Sequence, residues 1–185
     1  MRSNLYLRRV EQEWRLLELL ARANEQGIED VRRREEASGE TFELTLLKTR
    51  AIIETCGNRE IVDKHWVAFH FRTLFPSIPI EANLSRPVFH PNVYPHNGFV
   101  CLWNRFSPGD TIIEAVVQLQ RILTFQLVND LADHVMQPKC LDWYNDPERD
   151  FELPLWCEPI RKPADLEAER TYGRRPAGTF RRRLE

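Results

Sequence analysis

The sequence predicts one α+β domain, in which an antiparallel sheet is preceded by one helix and followed by others. Three observations lead to this class. Apolar residues recur at three- and four-residue steps near the N-terminus, short runs of alternating polarity follow, and a helix-start signal then precedes a second apolar stripe. The chain has 185 residues, enough for one domain with a sizeable core.

The first predicted element is a helix from Ser3 to about Gln26. The positions expected on its buried stripe are Leu7, Val10, Trp14, Leu17 and Leu20. Gly27 is expected to end the helix. The charged run Arg32–Glu36 contains both signs and is expected to be a solvated connector.

Four strand-like segments come next. They are Thr41–Leu47, Ala51–Glu54, His65–Phe71 and Ile78–Leu84. The alternation of apolar residues within them predicts a four-stranded antiparallel meander with one face exposed to water. Cys56 precedes Gly57-Asn58 and is expected in a hairpin turn.

Helices are predicted after the sheet. Thr111 and Glu114 have the spacing of a capping box, and the buried stripe that follows is Ile112, Val116, Leu119, Ile122 and Leu123. Asp146-Pro147 predicts the start of a short helix, whereas residues 128–145 give no clear assignment. The folded domain is therefore placed at residues 1–160. Residues 161–185 are rich in arginine and proline and are expected to form a basic, flexible extension, either solvated or docked on an acidic partner.

Composition limits the classes of function. The net charge of −2 gives no case for nucleic-acid binding. No apolar run approaches the ~20 residues of a membrane span, and the N-terminus has no signal-peptide hydrophobic region, so a cytoplasmic protein is expected. The four cysteines form no close pairs and no CxxC motif, which favours free thiols and predicts no metal and no cofactor.

The segment Phe89–Trp103 carries the chemistry. Its sequence is FHPNVYPHNGFVCLW, in which Cys101 follows the turn-forming pair Asn97-Gly98 and a short apolar run. A thiol presented in this way can form a thioester, although a cysteine with apolar neighbours is also often an inert core thiol. The amide of Asn92 can polarise a carbonyl or shape its own loop, and the sequence leaves both interpretations open.

This segment resembles the active-site region of ubiquitin-conjugating enzymes, in which His-Pro-Asn precedes an Asn/Gly loop, a hydrophobic residue, Cys and Leu. The resemblance covers roughly residues 3–145, with specific motifs between Phe75 and Thr111. The loop before Cys101 is one residue longer than in the eukaryotic enzymes, Phe106 replaces the usual tryptophan, and Trp103 replaces an acid. These departures favour the divergent bacterial branch that occurs in antiviral defence operons.

The resemblance implies an α+β fold with an N-terminal helix, a four-stranded meander, an active-site loop and C-terminal helices. It implies that Cys101 carries the C-terminal glycine of a partner as a thioester and passes it to an amine. The partner would be a cGAS-like nucleotidyltransferase or a ubiquitin-like protein, with or without an activating enzyme. In this family, the histidine at the position of His90 braces the loop.

The remaining residues near the motif are given supporting roles or left open. Asn97 is expected to form the turn and Trp103 an apolar rim. The pKa of Cys101 is expected near its free value of about 8.5, because no basic residue adjoins it in sequence. Candidate acids to assist the amine are Asp110, Asp133 and Asp142. The other cysteines, Cys56, Cys140 and Cys157, are expected to be non-catalytic.

Two alternative functions are considered. One is a non-catalytic module that binds ubiquitin-like proteins, although relatives of that kind have lost the cysteine. The other is a thiol hydrolase, which needs a histidine oriented against the thiol. His96 lies in the loop itself and is the available candidate, but its family counterpart is not catalytic.

Overall fold

Five antiparallel strands lie side by side in the order in which they occur along the chain. The computed structural model describes residues 3–130 and 135–163. The strands are β1 (Ile28–Glu36), β2 (Gly39–Thr55), β3 (Asn58–Arg72), β4 (Glu81–Leu84) and β5 (Phe99–Val100). The helices are α1 (Asn4–Ala23), α2 (Ile112–Leu123) and α3 (Pro138–Asn145). The predicted α+β class, with one helix before the antiparallel sheet and others after it, is confirmed. The predicted number of four strands is wrong, because β1 and β5 were not recognised and two predicted strands are parts of β2.

Helix α1 packs on the sheet through a stripe in which Val10, Leu17 and Leu20 are buried as predicted and Trp14 is partly buried. The Ser3 side chain caps the helix by accepting a hydrogen bond from the Tyr6 N–H at 3.1 Å. Tyr6 is fully buried and donates its hydroxyl to the Phe71 carbonyl at 2.8 Å. The prediction that Leu7 is buried is wrong, because Leu7 is 45% exposed while Tyr6 fills the end of the stripe. The helix ends in a turn that reaches Gly27, as expected.

The run Arg32–Glu36 is mostly exposed, as expected, but it belongs to strand β1, so the prediction of a connector is wrong. This half of β1 is an edge strand held to β2 by cross-strand ion pairs. Arg33 pairs with Glu40, and Arg34 lies 2.6 Å from Glu43. Charge on both faces of an edge strand removes the polarity alternation that identifies a half-buried strand.

The predicted runs Thr41–Leu47 and Ala51–Glu54 are parts of the single strand β2. The register with β3 shifts between Leu47 and Ala51, and Lys48 has a φ of +54° there. Such a bulge interrupts the alternation, which explains the prediction of two strands. Strand β3 begins earlier than predicted and β4 later, at Glu81. The hairpin turn at Cys56-Gly57 is present.

Helix α2 has the predicted start and stripe. The Thr111 N–H donates to the Glu114 carboxylate at 3.1 Å, and all five predicted stripe positions are buried. A second contact satisfies the next amide, since the buried Glu13 of α1 accepts a hydrogen bond from the Ile112 N–H at 2.7 Å. The other Glu13 oxygen lies 2.9 Å from the guanidinium of Arg9.

The predicted helix at Asp146-Pro147 is wrong, because helix α3 has already ended at Asn145. Asp146 instead accepts a hydrogen bond from the Glu148 N–H at 2.9 Å, which forms a turn. Pro138 occupies the first turn of α3, a position that needs no N–H donor. Beyond α3 the described chain stays on the domain as far as Arg161, whose N–H and carbonyl both bond to Asn24. The rest of the predicted extension, residues 164–185, lies outside the described residues.

Two apolar clusters support the fold. The main one fills the space between α1, the sheet and α2. The second lies beneath the far end of the β2–β3 hairpin and contains Ile52, Phe89, Phe125, Cys140, Trp143 and Leu155. The Arg59 guanidinium covers this cluster, 4.8 Å from the Phe89 ring centre and 5.3 Å from that of Trp143. Among the described residues, no helix combines the length and apolar content needed to cross a membrane.

Candidate active site

A tight hairpin delivers the chain to Cys101. The Tyr94 N–H donates to the Phe99 carbonyl at 2.8 Å, and the Asn97 side-chain oxygen accepts from the Phe99 N–H at 2.9 Å. Gly98 has a φ of +70°, and a Cβ there would lie 2.0 Å from the Leu84 carbonyl oxygen. The turn predicted at Asn97-Gly98 is therefore present, and its close approach to β4 requires glycine.

Cys101 lies directly after β5, where its thiol is half-buried. Its N–H donates to the Asn92 carbonyl at 2.8 Å, and its own carbonyl accepts a hydrogen bond from the Asn92 side-chain amide at 3.1 Å. Asn92 thus holds the backbone on both sides of the reactive side chain. The structure brings together the two residues that the sequence predicted to be catalytic.

The Asn92 side chain is bound at both ends. Its Oδ1 accepts a hydrogen bond from the Asn129 N–H at 2.8 Å, and the residue is 1% exposed. These contacts are those of a residue that shapes its loop. An amide nitrogen carries two hydrogens, and the Cys101 carbonyl accepts one of them. The two interpretations of Asn92 are therefore compatible.

His90 is held under the loop as a neutral ring. Its Nδ1 accepts a hydrogen bond from the Asn92 N–H at 3.0 Å, which places the proton on Nε2. The ring is fully buried and lies 4.3 Å from the Phe125 ring, centre to centre. Burial lowers the pKa of His90 to about 3. Because Nδ1 already serves Asn92 and the ring packs on Phe125, the observed contacts are those of a brace.

The environment of the thiol differs from the expected one. Burial raises the pKa of Cys101 above its ordinary value. The expectation of an unshifted pKa is wrong, because the side chain is more enclosed than its loop position in the sequence indicated. The group is consequently a protonated thiol at neutral pH, and its proton has to leave during any transfer step.

Trp103 anchors the chain after Cys101. Its indole N–H donates to the Ile80 carbonyl at 2.8 Å, and its ring contacts that of Phe106 edge to face at 6.5 Å. The preceding carbonyl, that of Leu102, accepts a hydrogen bond from Gln118 at 3.2 Å. Trp103 is half-buried and packs against the main core, and its role as an apolar rim stays a prediction.

Sequence reasoning missed Gln137. Its side-chain nitrogen donates to the Val88 carbonyl at 2.7 Å and to the Val93 carbonyl at 2.8 Å. The neighbouring Met136 N–H donates to the Pro91 carbonyl at 2.8 Å. A glutamine more than forty residues away along the chain carries no local signal of such contacts, although the following Pro138 marks a helix start.

The remaining candidates are dispersed. His96 is exposed in the hairpin with its ring 5.2 Å from that of Tyr94. Asp110 accepts a hydrogen bond from the Ser107 N–H at 2.8 Å, Asp142 is exposed on α3, and Asp133 lies outside the described residues. Cys56 is exposed, whereas Cys140 and Cys157 are buried with raised pKa values. The choice of an assisting acid therefore stays open.

We expect His90 to make folding stability depend on pH. The folded pKa of about 3 lies below the ordinary 6.5, so the unfolded chain binds the proton more readily. The contribution of the neutral ring is complete above pH 6.5 and is lost at about 1.4 kcal/mol per pH unit as pH falls towards 3. Urea unfolding of the wild type and of His90→Gln between pH 5 and 7.5 measures the difference. Parallel stability curves for the two proteins would contradict the expectation.

Comparisons with known proteins place this geometry in context. No protein-family model matches the chain. The chain is 29% identical over 101 residues to the SUMO-conjugating enzyme UBC9 of Caenorhabditis elegans, a match that covers 52% of this chain and 58% of that protein. The chain therefore spans less than two thirds of the length of this relative.

Two solved structures are similar. A human ubiquitin-conjugating enzyme, E2 G1, has a TM-score of 0.42 and 18% identity, covering 60% of this chain and 93% of its own. A putative ubiquitin conjugating enzyme from Trypanosoma cruzi has a TM-score of 0.50 and 15% identity, covering 79% of this chain and 92% of its own. Together with the order of helices and strands, the second likeness shows that the chain has the fold of ubiquitin-conjugating enzymes.

Proposed function

We propose that this protein is a conjugating enzyme that carries the C-terminal glycine of a partner as a thioester on Cys101. The observation that carries the proposal is the reciprocal pair of hydrogen bonds between Cys101 and Asn92, at 2.8 Å and 3.1 Å. These bonds hold the Asn92 amide on the backbone of the residue that carries a half-buried thiol, in the fold of ubiquitin-conjugating enzymes. Both groups are needed for transfer of an activated acyl group.

The reaction has two displacements. In the first, Cys101 loses its proton to solvent and the thiolate attacks the carbonyl carbon of the partner's C-terminal thioester, whose old C–S bond breaks so that the previous sulfur leaves as a thiolate and takes up a proton from solvent. In the second, an amine attacks the new thioester, the C–S bond breaks, and Cys101 departs as thiolate while the amine loses its proton. Negative charge develops on the carbonyl oxygen in each step, where an Asn92 hydrogen would stabilise it.

The partner is proposed to be a protein that ends in glycine. The likeness to a SUMO-conjugating enzyme supports a ubiquitin-like protein, supplied by an activating enzyme. A cGAS-like nucleotidyltransferase as the carried protein, and a role in bacterial antiviral defence, rest on the departures at Trp103 and Phe106 and on the longer loop before Cys101. A thiol hydrolase is less well supported, because His90 is engaged beneath the loop with Asn92 and the exposed His96 ring contacts Tyr94.

The test uses probes that need no activating enzyme. Ubiquitin and a SUMO protein, each with a C-terminal glycyl thioester of 2-mercaptoethanesulfonate, are incubated separately with the protein. Intact mass spectrometry and non-reducing gels then detect an adduct, which a reducing agent should cleave. Free lysine is added to loaded protein to measure transfer. Failure of both probes to load would contradict the proposal for ubiquitin-like partners.

Selection for glycine is expected at the rim. Phe99 and Trp103 are both half-buried, and they flank the thiol in sequence. An extended tail passes such aromatic walls most easily when its last residue has no side chain. Changing the last residue of a loading probe from glycine to leucine should slow thioester formation by about tenfold, or 1.4 kcal/mol of barrier. Equal loading of both probes would show that the rim does not select.

A further inference from the structure

The Gln137 side chain joins the two ends of the turn that contains His90 and Asn92. One Nε2 donates to the carbonyls of Val88 and Val93, at 2.7 Å and 2.8 Å. Val88 is 2% exposed and Val93 is fully buried. Both hydrogens of the amide are therefore used, and both acceptors lie in places with little access to water.

Two further contacts hold the same turn from the same side. Met136, next to Gln137, donates its N–H to the Pro91 carbonyl at 2.8 Å, and Asn129 donates its N–H to the Asn92 side chain at 2.8 Å. The turn from Val88 to Val93 is thus bound at Val88, Pro91, Asn92 and Val93 by residues that follow α2. The Gln137 side chain makes two of these four contacts, whereas Met136 and Asn129 each make one through a backbone N–H.

The contact at Val93 has the most direct route to the thiol. Val93 follows Asn92 in the chain and pairs with Val100, which precedes Cys101. Holding the Val93 carbonyl therefore restrains the residue that follows Asn92 and the bridge to Val100, the residue before Cys101. A shift of about 1 Å in such an arrangement can cost up to 100-fold in rate.

We propose that Gln137 is a positioning residue, which keeps the Asn92 amide aligned with the carbonyl carried on Cys101. The inference rests on the proposed function and names a further residue of that site. Gln137 acts through the turn. Its loss should therefore slow acyl transfer strongly and change the accessibility of the Cys101 thiol little. The alternative is that Gln137 contributes only to stability, as any buried hydrogen-bonding side chain does.

Gln137→Met tests the proposal with a matched control, Gln120→Met. Gln120 is buried and also donates from one nitrogen to two acceptors, Thr49 Oγ1 at 3.4 Å and the Glu158 carbonyl at 3.0 Å. Both variants should lower the melting temperature. With loaded ubiquitin or SUMO thioester, Gln137→Met should slow discharge to lysine by about tenfold. In the same Gln137→Met variant, the rate at which iodoacetamide alkylates Cys101 should change little. The control Gln120→Met should change neither the discharge rate nor the alkylation rate.

A pH profile and a double variant exclude a merely structural role. Gln137→Glu has the same shape, but its carboxylate faces two carbonyls, and protonation restores one donor. Its discharge defect, relative to wild type at each pH, should therefore shrink as pH falls. This variant also serves if Gln137→Met does not fold. In the double variant with Asn92→Ala, the additional loss from Gln137→Met should disappear, because both act on one step.

Hydrogen exchange separates this inference from the proposed function. The Cys101 N–H bonds to the Asn92 carbonyl, and its exchange rate reports the alignment without any partner. Gln137→Met should accelerate that exchange by about tenfold relative to Gln120→Met at equal global stability. Unchanged exchange at Cys101, or discharge no slower than in Gln120→Met, would overturn the inference even where the wild type loads. Altered exchange with a wild type that never loads would instead count against the proposed function alone.

Discussion

Cys101→Ala is expected to abolish the thiol-sensitive adduct with glycyl thioester probes. The acyl group needs a sulfur as both nucleophile and leaving group, and alanine supplies neither. Cys101 also has a half-exposed side chain at the end of the active-site loop. The measurement is the adduct yield on non-reducing gels and by intact mass, compared with wild type at equal protein concentration.

Two control variants make this result specific. Cys56→Ala removes a fully exposed thiol at the β2–β3 turn and should leave adduct formation unchanged. Cys101→Ser should load slowly and yield an oxyester that resists reducing agents, because an alkoxide leaves less readily than a thiolate. An adduct of wild-type yield in Cys101→Ala would remove this residue from the mechanism.

Asn92→Ala is expected to slow discharge of a loaded Cys101 by about 100-fold, the effect typical of one lost oxyanion donor. It should also reduce the free energy of unfolding by about 1–3 kcal/mol, because the Asn129 N–H and the Cys101 carbonyl both lose their partner. Single-turnover discharge to lysine and urea unfolding measure the two effects separately.

Asn92→Asp separates catalysis from support. The carboxylate keeps an oxygen for the Asn129 N–H but has no hydrogen to donate. At a pH where its carboxyl is ionised, this variant should therefore discharge slowly although the Asn129 N–H keeps its acceptor. Discharge at the wild-type rate in a folded Asn92→Asp protein would leave Asn92 with a purely structural role.

The parts of the fold that the sequence predicted are those with local signals. Thr111 and Glu114 satisfy each other within one turn, and the stripe of α2 follows at helical spacing. Gly98 is identifiable because a positive φ demands a particular residue. The alignment of Asn92 with Cys101 followed from the resemblance of the whole motif to a known family.

The parts that were missed depend on distant partners. Strand β1 pairs its charges with β2, and the bulge at Lys48 breaks the alternation within β2. Gln137 bonds to backbone carbonyls 44 and 49 residues away. Every residue has such a carbonyl, so the sequence does not mark which ones will accept a hydrogen bond. The raised pKa of Cys101 depends on enclosure by several segments at once. Such features are set by packing, which single-residue patterns do not record.

Glu13 links the docking of α1 on the sheet to the presence of α2. Its carboxylate is fully buried against the first amide of α2, which lies 99 residues further along the chain. During translation α1 leaves the ribosome well before Ile112 does, and docking α1 on the growing sheet would bury this charge with Arg9 as its ion-pair partner. Desolvation of a carboxylate without its amide donor is costly. We therefore expect the N-terminal helix to stay loosely attached to the sheet until α2 has been synthesised and can donate its first amide to Glu13.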